Sequence, residues 1–120
     1  MKLSITAAAA TTLLVTSVVA QAEALKIGFL TTLTGPMAVI GEHARDGFHL
    51  AVKQRGGMLG GFEAKVIVED DALKPDLALT RTRQFLERDK VDFVVGMIAS
   101  NILQAVFQPV TKSGTFLIGV

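Results

Sequence analysis

Cysteine, tryptophan and tyrosine are absent from this 120-residue chain, and proline occurs three times. Without cysteine there is no disulfide, no thiolate metal site and no cysteine nucleophile. No excess of charge of either sign exists: 12 basic and 11 acidic side chains leave a net charge of +1. That balance argues against nucleic acid or an anionic membrane surface as a partner. Histidine is scarce, and His43 and His49, six apart, project to different sides of a helix and do not chelate together. The pairs Gly56-Gly57 and Gly60-Gly61 follow a helical stretch rather than leading from a strand into one, and no Gly-Lys-Ser/Thr follows them, which weighs against a nucleotide cradle. No G-x-S-x-G elbow is present, and Ser100 lacks a matched histidine and acid, so nothing assembles a catalytic set. The expectation is a non-enzyme without metal or cofactor.

Half the residues are hydrophobic, which excludes a disordered chain. The apolar character is concentrated first in residues 1–22. Lys2 is followed by an apolar and small-residue run from Ala7 to Ala20, interrupted only by hydroxyls, and then by VVAQAEA. A positive end, an apolar core and small residues at alternate positions are the layout of a secretory signal peptide. Ala20 and Ala22 place the cut before Glu23, with cuts after Ala20 or Ala24 as alternatives. A membrane span competes less well, because the interrupted core is shorter than the roughly 20 apolar residues a span needs. The chain therefore divides into a leader, 1–22, and a domain, 23–120, whose product is exported and not stably inserted in the membrane.

The domain alternates strand and helix. Lys26–Leu30 reads as a strand, Thr31 to Pro36 as a loop, and the stretch from Gly41 through Val52 as a helix with Ala44, Phe48, Ala51 and Val52 on one face. Gly47 inside that helix is expected at a close contact with a strand. Gly56-Gly57 caps the helix, Met58 to Gly61 forms a turn, and Glu63–Glu69 is a strand at or next to an edge. Pro75 opens a second helix with Ala78, Thr82, Phe85 and Leu86 inward and Arg81, Arg83, Glu87 and Arg88 toward water. Val91 to Val95 is a buried strand ended by Gly96. Ser100 is the expected N-cap of a third helix to Lys112, with a kink near Phe107 imposed by Pro109. Thr115–Val120 is a last strand. Right-handed crossovers turn this order into an α/β fold, an open parallel sheet with helices on both faces. An apolar strand followed by no covering helix reads as the amino-terminal part of a longer protein.

Chemistry concentrates where the Val91–Val95 strand hands over to its helix. A hydroxyl at Ser100 and unpaired N–H groups at a helix start lie at the carboxyl edge of the sheet, where open α/β sheets bind ligands and where an anion is favoured. The plainer alternative is a serine that only caps its helix. Asp70-Asp71 suggests a cation or phosphoryl site, but an adjacent pair supplies too few oxygen ligands; a solvated turn with hydrogen bonds to the helix start is the better reading.

Taken in order, KIGFLTTLTGPMAVIG, GFHLAV, RGGMLGG, VIVEDDALKPDLA and KVDFVVG with Ser100 after it make the chain resemble the periplasmic substrate-binding proteins of the branched-chain amino acid (Leu/Ile/Val-binding) family of ABC importers. The resemblance implies the first part of lobe 1 of a type I periplasmic binding protein fold, two lobes around a cleft, and a membrane permease as partner. It implies that Ser100 hydrogen-bonds the α-carboxylate of a small ligand, with Ala99 beside it offering backbone, and that Ile40 packs against the ligand side chain. The ligand is then a branched-chain or other hydrophobic amino acid, or a related aromatic acid. Two departures stand out: Gln54-Arg55 replaces the family's Asn before Gly-Gly, and Ile40 stands where some members carry an aromatic. Contacts from later strands and the second lobe fall beyond Val120. An extracellular sensor domain of the same fold is the alternative, and a receiver-like domain using Asp70-Asp71 sits poorly with an export leader.

Overall fold

A computed structural model describes residues 23–120; residues 1–22, expected to be a leader, lie outside the described residues. The chain forms β1 (Leu25–Thr31), α1 (Ala38–Gln54), β2 (Met58–Leu59), β3 (Phe62–Asp70), α2 (Pro75–Arg83), β4 (Phe93–Val95), α3 (Ser100–Lys112) and β5 (Phe116–Ile118). The sheet order is β2-β3-β1-β4-β5. Pairings β3–β1, β1–β4 and β4–β5 are parallel, with Ile27 opposite both Val66 and Phe93 and Val94 opposite Leu117. The short antiparallel β2 is a departure from the expected plain turn. Met58 pairs with Glu63 and Leu59 with Phe62 across Gly60-Gly61, both at positive φ (+58° and +86°). Two consecutive left-handed residues are the geometry of a two-residue hairpin whose twist matches the strands, so the glycine pair makes a hairpin.

Helices cover both faces because β1 alternates its side chains between them. On one face Leu30, Val94 and Met97 meet Ala78, Phe85, Ile102, Val106 and Val110 of the α2 and α3 side, all essentially fully buried. Phe85 belongs to a wider helical turn, Gln84–Asp89, that continues α2 and ends at left-handed Lys90. Its ring lies flat on β1 at Gly28, where an added Cβ would come within 2.7 Å of it. On the other face Ile27, Phe29 and Val95 meet Ala44 and Phe48 of α1, with the Phe29 and Phe48 rings 5.1 Å apart.

Several local expectations are corrected. Gly47 is exposed with open space around it; the close approach falls at Gly41, where a Cβ would stand 1.8 Å from the Thr32 carbonyl oxygen. The helix turns Ala44, Phe48 and Val52 inward, which leaves Gly47 and also Ala51 on the outer side. Arg81 does not simply point to water: its long stem folds back so that Nε sits 3.3 Å from the Glu69 carboxylate on β3. α3 runs through Pro109 without a break. The proline removes a single intrahelical bond, to the Ala105 carbonyl, and the Thr111 hydroxyl donates to the Phe107 carbonyl at 2.7 Å.

Candidate functional site at the carboxyl edge of the sheet

β1 connects through α1 to β3 on one side, while β4 lies on its other side, so the strand order reverses between β1 and β4. Such a switch point opens a crevice at the carboxyl ends of the two strands. The chain leaving β4 passes Gly96 at φ +108°, where a Cβ would lie 2.8 Å from the Leu30 carbonyl oxygen. Only glycine permits that approach of the β4 exit to β1.

Ala99 then has extended backbone, φ −118° and ψ 135°, and α3 starts at Ser100. The N-cap is therefore Ala99, and Ser100 is the first helical residue, a correction to its expected capping role. The Ala99 carbonyl accepts from the amides of Ile102 (3.1 Å) and Leu103 (3.0 Å), and no side chain caps the helix. The turn from extended to helical backbone is completed one residue early, so no hydroxyl is required for it. Ser100 is exposed, and among the described residues its hydroxyl and the amides of Ser100 and Asn101 have no partner within the chain. The absence of a capping bond leaves that hydroxyl available to an incoming acceptor.

After the neighbouring strand β1, α1 begins at Ala38, earlier than its pattern suggests, which moves Ile40 from the preceding loop into the first helical turn. Ile40 is 54% exposed. The fold thus places Ser100 and Ala99 at the start of α3 and Ile40 at the start of α1, two helix starts that follow the adjacent strands β4 and β1.

The acidic pair at the end of β3 serves this edge in a way local sequence patterns did not show. The Asp71 amide donates to the Thr31 carbonyl (3.0 Å) and the Thr32 hydroxyl donates to Asp71 Oδ1 (2.6 Å). The Leu33 amide and the Thr34 hydroxyl donate to Asp70, at 2.8 and 2.7 Å. Asp71 is fully buried, not solvated. The register could have hinted at the link, because Thr31 pairs with Asp70 and so sets the threonine-rich loop beside the acidic pair. Partial burial pushes the Asp70 carboxyl up, but the Leu33 amide, the Thr34 hydroxyl and the Ala72 amide together outweigh it, leaving the group below its ordinary value. Among the described residues no three His, Cys, Asp or Glu side chains gather as a metal site.

An apolar groove of about 440 Å³ lies elsewhere. Phe48, Leu59, Phe62, Phe93, Val95 and Ile118 line it on the α1 side of the sheet, and it touches none of Ile40, Ala99 or Ser100. It is a stretch of sheet that α1 borders with Phe48 but does not cover.

An α/β lobe whose parallel strand order reverses between β1 and β4 is the class this architecture defines. Residues 24–120 match the family described as periplasmic binding protein, and the chain belongs to that family. It is 30% identical over 99 residues to a Leu/Ile/Val-binding protein of Rhizobium johnstonii, an alignment covering 78% of this chain and 26% of that one. Among solved structures, an ABC transporter substrate-binding protein from Sphaerobacter thermophilus superposes with a TM-score of 0.77 at 39% identity over 81% of this chain and 26% of that one. A solute-binding protein of an ABC transporter from R. palustris, in complex with benzoate, gives 0.77 at 30% identity over 81% and 27%. The chain thus spans about a quarter of the length of the relatives it matches, and the fold it shares with them is that of type I periplasmic binding proteins.

Proposed function

We propose that this chain forms part of the first lobe of an exported solute-binding component of an ABC importer, and that it captures a small carboxylate ligand. Its cargo is a branched-chain or other hydrophobic amino acid or a related aromatic acid, in keeping with relatives described as Leu/Ile/Val-binding and as a benzoate complex. The observation that carries this reading is the uncapped start of α3 at the strand-order reversal, with the exposed Ser100 hydroxyl beside free amides. A carboxylate seated there gains a charge-assisted hydrogen bond from Ser100, about 1.5 to 3 kcal/mol. The helix start adds about 0.3 to 1 kcal/mol. Ala99 offers backbone next to it, and Ile40 on the opposite rim supplies an apolar surface for the ligand's side chain. A second lobe closes over the ligand and presents the complex to the membrane permease; one lobe alone leaves the ligand largely in water and binds weakly.

Export rests on the leader-like residues 1–22, and no helix among the described residues is long and apolar enough to cross a membrane. The test is calorimetric titration of the full-length natural polypeptide containing residues 23–120 with L-leucine, L-isoleucine and benzoate, beside Ser100→Ala. Loss of the charge-assisted bond weakens whichever probe binds by about tenfold or more. Unchanged affinity in Ser100→Ala removes Ser100 from the site.

A further inference from the structure

The loop that leads into α1 is unusually tied down for a surface connection, and the ties run to one place. Asp70 Oδ1 accepts from the Leu33 amide of that loop and from the Ala72 amide of its own, each at 2.8 Å. Asp71 Oδ1 likewise accepts from the Thr32 hydroxyl at 2.6 Å and from the Leu73 amide at 2.8 Å. Each carboxylate therefore joins two loops with one oxygen. Ala72 and Leu73 both hold positive φ, +47° and +59°, a conformation that strains a side-chain-bearing residue. Two such residues in succession persist only where their surroundings fix them, and the two carboxylates are what fixes them here. On its far side the same loop is pinned by α1, because Gly41 lies directly under the Thr32 carbonyl.

We infer that Asp70 and Asp71 are positioning residues: they clamp the β1–α1 loop to the β3–α2 loop and so hold the first turn of α1, with Ile40, at the rim of the ligand crevice. The inference deepens the carboxylate-binding reading and rests on it for the identity of the crevice, while the clamp itself stands on the hydrogen bonds alone. Neither aspartate touches ligand. They act by keeping the apolar rim in place before the ligand arrives, so that binding does not have to order a loop.

The experiment combines amide hydrogen exchange and titration with L-leucine and benzoate on the full-length natural polypeptide, comparing wild type, Asp70→Ala and Asp70→Asn. In Asp70→Ala, exchange at Leu33 and Ala72 accelerates at least tenfold while β4 amides keep their protection, and the affinity for the bound probe falls about tenfold. Asp70→Asn restores both to within about threefold, because its amide oxygen still accepts from Leu33 and Ala72 and its amide nitrogen can donate to the Thr34 hydroxyl. Should Asp70→Ala fail to fold, Thr34→Val removes one tie at an exposed side chain, and a severalfold loss of affinity is expected. Unchanged exchange at Leu33 overturns the clamp. Faster exchange with unchanged affinity overturns its role at the crevice. If neither probe binds wild type, the carboxylate reading and the link to ligand fall together, and exchange at Leu33 still decides whether the clamp exists.

Discussion

The two faces of the sheet are built to different standards. Facing α2 and α3, Leu30, Val94, Phe85, Met97, Ile102, Val106 and Val110 bury almost all of their surface in one continuous core. Facing α1, three strand residues are buried, Ile27, Phe29 and Val95, and beyond Phe48 the surface opens into the apolar groove over β4 and β5. Two helices cover one face and a single helix covers part of the other. Folding stability in residues 23–120 therefore resides mainly on the α2 and α3 side, and the α1 side is an incomplete layer. The proposed ligand site belongs to neither face; it lies on the rim between them, where the starts of α1 and α3 follow β1 and β4.

The largest effect expected from this contrast is at Phe85. Phe85→Ala empties a fully enclosed ring site over Gly28 and destabilises residues 23–120 by about 3 to 5 kcal/mol, the usual cost of deleting a buried aromatic. Phe48→Ala deletes a ring of the same size, yet Phe48 borders the open groove and is only half-buried. Its cost should be at most about half as large. Urea unfolding of the two variants checks the comparison, and equal losses break it.

Much of this architecture was legible because its signals are local. The apolar run Val91–Val95, Pro75 at the start of α2 and the inward set Ala78, Thr82 and Phe85 lie where periodicity places them, and a parallel sheet follows from their order. What escaped depends on contacts between distant segments or on the backbone's own choice. Strand β2 is two residues long, too short for any period to reveal. Ser100 has the chemistry of a cap, but the backbone turns at Ala99. Gly41 and Gly47 cannot be told apart until the path of the Thr32 loop is known. Asp70-Asp71 looked like a solvated turn because its partners, Thr32 to Thr34, stand more than thirty residues earlier in the chain. The proposed ligand residues Ser100, Ala99 and Ile40 came from a family likeness, and the fold sets them at the starts of the helices that follow β4 and β1.

A smaller effect, confined to the rim, comes from acid. The Asp70 carboxyl lies below its ordinary value in the folded chain, so the folded state holds this proton less readily than the unfolded one. Its contribution to stability is then complete at neutral pH, where the group is ionised in both states. It begins to fade as pH falls through the ordinary carboxylate range near 4, and it is gone once pH drops below the lowered folded value. Amide exchange at Leu33 and Ala72 should lose protection in that window before the α2 and α3 core does. Simultaneous loss on both faces and at the rim would show that the clamp is no weaker than the core.

The smallest effect is expected on the open side of the sheet. Ile118 is 50% exposed on β5, with the groove beneath it. In residues 23–120, Ile118→Glu exchanges a side chain that buries little for one that water accepts, so stability should change by no more than about 0.5 kcal/mol. Binding of an apolar dye to the groove should weaken markedly, since a carboxylate now stands in its wall. A loss of more than about 1 kcal/mol in this polypeptide would mean that the α1 face is packed as well as its opposite, and the contrast between the two would fail. The same substitution in a longer natural polypeptide sharpens the point. If further chain packs on this face, the glutamate is buried without a partner and the cost rises to several kcal/mol, so the difference between the two measurements reads how much of the incomplete layer is filled.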